Sequence, residues 1–89
     1  MTRQATNFQA KVKVRLKPGV LDPQGEAILR SLNSLGYKSF QSIRVGKLIE
    51  LVLSGENQAE VESLVAKIAD ELLANPNMEK FNVAVEPLK

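Results

Sequence analysis

Residues Leu16 to Gly25, read as LKPGVLDPQG, end a strand, turn the chain and start a helix within ten residues. Lys17-Pro18-Gly19 stops a strand, because proline has no N–H for the ladder and glycine accepts turn dihedrals. Asp22 then fits an N-cap and Pro23 the first helical position, where a missing N–H costs nothing. A chain with this junction alternates strands and helices, and the flanking residues agree. Before it, Phe8, Ala10, Val12, Val14 and Leu16 share one face of a strand over residues 8–17, and Lys11, Lys13, Arg15 and Lys17 share the other. After it, Ile28, Leu32 and Leu35, with Leu29 beside them, form the apolar stripe of a helix over residues 23–35. Gly36 suits the position just past its end.

The rest of the chain repeats the theme. A second strand is expected over residues 38–45, with Ile43 and Val45 on one face. Gly46-Lys47 offers a tight hairpin turn into a third strand over residues 48–54. That third strand is apolar on both faces, Ile49, Leu51 and Leu53 on one and Leu48 and Val52 on the other. Such a strand is normally covered twice, and in a short two-layer domain the second cover can be another subunit. Asn57, with Glu60 three residues on, starts a second helix whose inward stripe is Val61, Leu64, Val65, Ile68 and Leu72. Asn75-Pro76 ends it, because the residue before proline avoids the helical region. A fourth strand over residues 80–86 carries Phe81, Val83 and Val85 on one face.

The expected fold class is therefore α+β, two layers in the order β-α-β-β-α-β. An antiparallel four-stranded sheet in the order 4-1-3-2 carries two helices on one face, the ferredoxin-like arrangement. Residues 75–79 also leave room for the last strand to swap onto a partner subunit. The polar residues 1–7 read as a frayed terminus ahead of one domain over 8–89.

Much chemistry is excluded. The chain has no histidine and no cysteine, so the commonest general base, the thiolate nucleophile and the ordinary zinc ligands are all missing. Neither phosphate-cradling glycine motif occurs. The acidic pairs Glu60 with Glu62 and Asp70 with Glu71 do not share a helix face. No catalytic and no metal residue is expected. The lack of cysteine fits a cytoplasmic protein, residues 1–10 lack the apolar segment of a signal peptide, and no membrane span is expected. The net charge of +2 is too small to imply nucleic acid. Its distribution is uneven, because residues 1–21 hold Arg3, Lys11, Lys13, Arg15 and Lys17 and no acid. Such a stripe can bind phosphate, or can be the solvated face of an amphipathic strand.

Three stretches together carry a resemblance. They are the opening run through Gly25; Ser34-Leu35-Gly36-Tyr37 leading into the residues Ile43 to Leu51; and Leu72-Leu73-Ala74-Asn75-Pro76 before the final strand. Over about residues 8–86 the chain resembles PurS, the small subunit of phosphoribosylformylglycinamidine synthase, an ATP-dependent glutamine amidotransferase ligase of purine biosynthesis. The resemblance implies a subunit without an active site of its own. A glutaminase subunit releases ammonia, and a large synthetase subunit uses ATP and Mg to convert formylglycinamide ribonucleotide to the amidine. The small subunit binds no cofactor, forms a homodimer or higher even oligomer, bridges the two others and supports ammonia transfer.

On that resemblance, Arg44, Gly46 and Lys47 match the family's hairpin and are candidate subunit-interface residues, as are Asn75 and Pro76 of the helix-ending motif. Leu48 and Val52 are candidates for a dimer contact, and Tyr37 for an interface rim. Each also has a plain structural use: a turn for Gly46, solvation for the cations, a helix stop for Asn75-Pro76, and cover by a neighbouring strand for Leu48 and Val52. Two rival functions share the topology. An RNA-binding module would need stacking aromatics on its central strands, where this chain offers Lys11, Lys13, Arg15, Leu48, Glu50 and Val52. A small-molecule regulatory domain would be stabilised by its metabolite.

Overall fold

In the computed structural model, which describes residues 6–88, one long strand organises the chain. Strand β1 (Thr6–Leu16) pairs antiparallel on both edges, with β2 (Gly46–Gly55) and with β3 (Glu79–Pro87). The sheet order is β2-β1-β3. Register is set by the period of two: Val12 lies between Ile49 and Val83, and Ala10 between Leu51 and Val85. The inner face is therefore continuous and apolar, and Phe8, Ala10, Val12 and Val14 are buried in it. Arg15, Lys13 and Lys11 point the opposite way.

Helix α2 (Gln58–Ile68) packs on that inner face through Val61 and Val65. Asn57 caps it, its side-chain oxygen accepting the Glu60 N–H at 2.9 Å. The helix then widens into one π-helical turn over Ala69–Leu73, closed by the Ala74 N–H on the Ala69 carbonyl at 2.9 Å. The wider turn puts Ala69 and Ala74, five residues apart, in the same core. Leu64 and Leu72, expected to face inward, are exposed, because the buried line runs through Val61, Val65 and Ala69 instead.

Helix α1 (Pro23–Ser34) forms as its local sequence dictates, with Asp22 as N-cap and Gly36 beyond it at φ +98°. Its placement departs from expectation. It packs on no strand of its own chain, and the molecule extends 65 × 29 × 14 Å with a radius of gyration of 17.8 Å. A compact domain of this length has a radius of about 12 Å. Residues 17–45 thus form an arm beyond the end of the sheet. Ile28 and Leu35 on the helix stripe are exposed, as are Tyr37 and Phe40 after it.

The sheet has three strands, not four. Residues 38–45 carry no strand pairing, so neither the second strand nor the hairpin at Gly46-Lys47 exists. Gly46 opens β2 and lies against β1, where a Cβ would sit 2.8 Å from the Val14 carbonyl oxygen. Its smallness serves that close approach and not a turn. The three strands keep the expected order without the missing one, and only one of the two helices covers the sheet. The last strand, for which the sequence leaves a swap onto a partner open, pairs along its length with β1 of the same chain. Of the residues read as a frayed terminus, Thr6 and Asn7 are in β1, and the Leu88 N–H donates to the Asn7 carbonyl at 2.8 Å. Residues 1–5 lie outside the described residues.

Candidate functional site at one end of the sheet

Three segments far apart in sequence converge where β1 ends: residues 17–22, 43–47 and 75–79. The Asp22 carboxylate joins the first two. Its Oδ1 accepts the Gly25 N–H at 3.0 Å, closing the N-cap, and its Oδ2 accepts the Val45 N–H at 2.7 Å. These backbone donors, Gly25 first and Val45 next, hold the carboxyl below its ordinary range, and nearby Arg44 adds to the effect against the opposing desolvation. Asp22 is a buried charged side chain with all of its demand met by neighbours. Gly25 is pressed so close to the returning chain at Ile43 that a Cβ there would collide with the Ile43 carbonyl oxygen.

Arg44 closes the same junction from outside. Its guanidinium donates to the Val20 carbonyl at 3.0 Å and to the Lys17 carbonyl at 3.2 Å. Arg44 is therefore a clasp across the turn that follows β1, and no hairpin tip exists for it to occupy. Lys17 links onward to the third segment. Its backbone N–H donates to the Met78 carbonyl at 2.8 Å, and its ammonium to the Pro76 carbonyl at 2.7 Å.

The third segment is a turn built by Asn75. Its side-chain oxygen accepts the Asn77 N–H at 3.0 Å, and its carbonyl accepts the N–H groups of Met78 and Glu79. The Glu79 side chain accepts the Asn75 N–H at 2.7 Å and stands 4.0 Å from the Lys47 ammonium. Asn75-Pro76 does more than stop a helix: the turn it forms receives Lys17 from β1. All five candidate interface residues, Arg44, Gly46, Lys47, Asn75 and Pro76, thus share one end of the sheet. Leu48 and Val52 are exposed on the outer face of β2, Leu48 beside Lys47 and Val52 farther along the strand. Tyr37 is exposed at the far side of α1. The sequence reading missed Lys17 and Glu79 as linking residues. Both look like ordinary surface charges until the third segment is placed against them.

Among the described residues no group of His, Cys, Asp and Glu is placed to hold a metal ion, and no helix is long and apolar enough to cross a membrane. The outer faces of β1 and β2 carry no aromatic side chain, so the stacking platform of an RNA-binding module is missing.

Residues 9–87 match the family model of PurS, described as phosphoribosylformylglycinamidine (FGAM) synthase. The chain belongs to the PurS family. The match takes in all three converging segments. Among its relatives is the phosphoribosylformylglycinamidine synthase subunit PurS of Methanocaldococcus jannaschii, 35% identical over 92% of this chain and 99% of that one. The corresponding subunit of Bacillus subtilis is 38% identical over 89% of this chain and 93% of its own length. The crystal structure of Methanocaldococcus jannaschii PurS superposes with a TM-score of 0.83 over 92% of this chain and 99% of that one, at 34% identity. A chain in the structure of PurLQS from Thermotoga maritima is 33% identical and superposes with a TM-score of 0.77 over 92% of this chain and 98% of its own. The extended arrangement of arm and sheet is therefore close to that of solved PurS chains.

Proposed function

We propose that this chain is the non-catalytic subunit of phosphoribosylformylglycinamidine synthase in purine biosynthesis, joining the glutaminase and synthetase subunits and supporting ammonia transfer between them. The observation that carries this reading is full-length similarity to PurS, including a chain of the PurLQS structure. The composition agrees with it, since the chain has no histidine and no cysteine for a Ser-His or Cys-His site. The end of the sheet where the three segments meet is the surface offered to a partner, with Lys47 and the Asn75 turn exposed on it. ATP, Mg and glutamine belong to the other subunits.

The chain works as a homodimer. Two uncovered surfaces support this: the apolar stripe of α1, and the half-covered inner face of β2 with its unpaired edge. Within one chain α1 lies in the arm beyond the end of the sheet and does not cover β2. An arm exchanged with a second copy brings them together, residues 38–45 lying along the β2 edge and α1 over Ile49, Leu51 and Leu53.

The deciding experiment is glutamine-dependent amidine synthesis by the synthetase and glutaminase subunits, with and without this chain. The expected result is activity only with the chain, while ammonia-dependent activity needs it less. Equal activity in both mixtures, with no co-elution of the chain, refutes the proposal.

A further inference from the structure

Arg15 and Lys80 are direct cross-strand partners on the outer face of the sheet. Like charges placed this way repel and weaken the strand pairing. Lys13 lies two residues along β1 on the same face. Among the described residues none of these three cations has a hydrogen bond or an ion pair. The acids of this face, Glu50 and Glu86, sit toward the other end, opposite Lys11 and Gln9. Positive charge is thus concentrated at one end of this face, and among the described residues no carboxylate pairs with Lys13, Arg15 or Lys80.

A cleft of about 610 Å³ opens at that end. Its walls combine the cations Lys13, Arg15 and Lys80, and Lys47 near Glu79, with apolar Leu16, Pro18 and Leu48, and no carboxylate lines it. Arg44, held on the turn carbonyls, forms part of one side. The size lies within the roughly 300–1,000 Å³ of small-molecule sites, which are mostly apolar with a few convergent polar groups. A chain-like polyanion fits poorly, because it needs a groove of cations with stacking aromatics along it.

We propose that this cleft binds a phosphorylated small molecule, its phosphate between Arg15 and Lys80 and its less polar part against Leu16, Pro18 and Leu48. A phosphate monoester carries about −1.5 to −2 charges at neutral pH and so balances two facing cations, which a single carboxylate does not. Arg15 supplies the planar fork that grips phosphate oxygens and Lys80 a point charge. The cleft borders the surface proposed for the partner through Arg44, Gly46 and Lys47, but phosphate binding by the isolated chain needs no other subunit and is tested without one.

The test is titration of the purified full chain, in its native oligomeric state and without added metal, with ADP, inorganic phosphate and adenosine as separate probes. Heat of binding and amide chemical shifts are the readouts. ADP is expected to bind, inorganic phosphate to bind more weakly, and adenosine not to bind. The shifts fall on β1, β3 and residues 44–48, and added NaCl weakens the affinity. Arg15→Gln with Lys80→Gln lowers the ADP affinity roughly tenfold or more and leaves the melting temperature unchanged or raised, since a repulsive pair is removed. Lys11→Gln, on the same face but outside the cleft, leaves the affinity as it was. Absence of ADP binding, equal binding of adenosine, or an affinity indifferent to the double substitution overturns the proposal.

Discussion

Asp22 and Val45 are 23 residues apart, and the Asp22 Oδ2 accepts the Val45 N–H at 2.7 Å. The same carboxylate caps α1 through the Gly25 N–H at 3.0 Å. One side chain therefore starts the helix and ties the far end of the arm to that start. With the Arg44 clasp and the close approach of Ile43 to Gly25, it fixes the chain re-entering at Gly46 relative to α1.

Because the folded state holds the Asp22 carboxyl below its ordinary value of 3.8, the sign of the pH dependence follows. The stabilisation is fully present above that value and is lost as pH falls through the lower folded value. Asp22→Asn is expected to lower the melting temperature by several degrees at pH 7. The gap from the unsubstituted chain narrows steadily below pH 3.8. Thermal melts at pH 7 and pH 3 check this, and a gap that stays constant would contradict it.

Gly25→Ala sets two effects against each other. Alanine favours a helix interior over glycine by about 0.5–1 kcal/mol. The added Cβ collides with the Ile43 carbonyl oxygen, which is backbone and gives little. Overpacking of this kind costs about 1–3 kcal/mol, so the collision wins. Urea denaturation is expected to show net destabilisation, and amide exchange should quicken at Ile43 to Val45.

Arg44 and Lys47 separate stability from assembly. Arg44→Ala removes two hydrogen bonds to turn carbonyls and is expected to cost about 1 kcal/mol, discounted for solvent exposure. Lys47→Ala removes only a 4.0 Å exposed ion pair, worth close to nothing, and leaves the melting temperature in place. On the proposed role Lys47→Ala weakens co-elution with the synthetase subunit. Normal co-elution would remove Lys47 from the interface.

Leu32→Asp with Leu35→Asp tests the exchanged arm. In a lone chain α1 packs on no strand to any extent, so the pair of charges would leave the sheet and its stability nearly unchanged. In an exchanged dimer the stripe is buried against the partner, and unpaired charges there are strongly unfavourable. Light scattering of the unsubstituted chain should give twice the chain mass and that of the variant one chain mass, with a lower melting temperature. A monomer in both cases would refute the exchange.

Much of the fold was legible before any coordinates. The alternation around Val12 and Val14, the Asp22-Pro23 start, Gly36 and the Asn57 cap are local signals. Each depends on residues within a turn or two, so the sequence by itself determined where α1 and α2 begin and which face of β1 is buried, though β1 starts two residues earlier than its alternation suggests. The convergence of Arg44, Gly46, Lys47, Asn75 and Pro76 was anticipated only as a set of interface candidates and not as a place. Their meeting rests on Lys17 reaching Pro76, 59 residues away.

What only the tertiary structure decided is where residues 38–45 and α1 go. A strand needs an edge to pair with, and residues 38–45 have the strand pattern without one, because Asp22 and Gly25 draw residues 43–45 to the base of α1. The inward line of α2 was decided the same way. The stripe through Leu64 and Leu72 has the same helical period as Val61, Val65 and Ala69, and the close fit on Phe8 and Val12 selected the smaller residues. Periodicity states that a face is apolar, and which apolar face meets which depends on contacts that no local window contains.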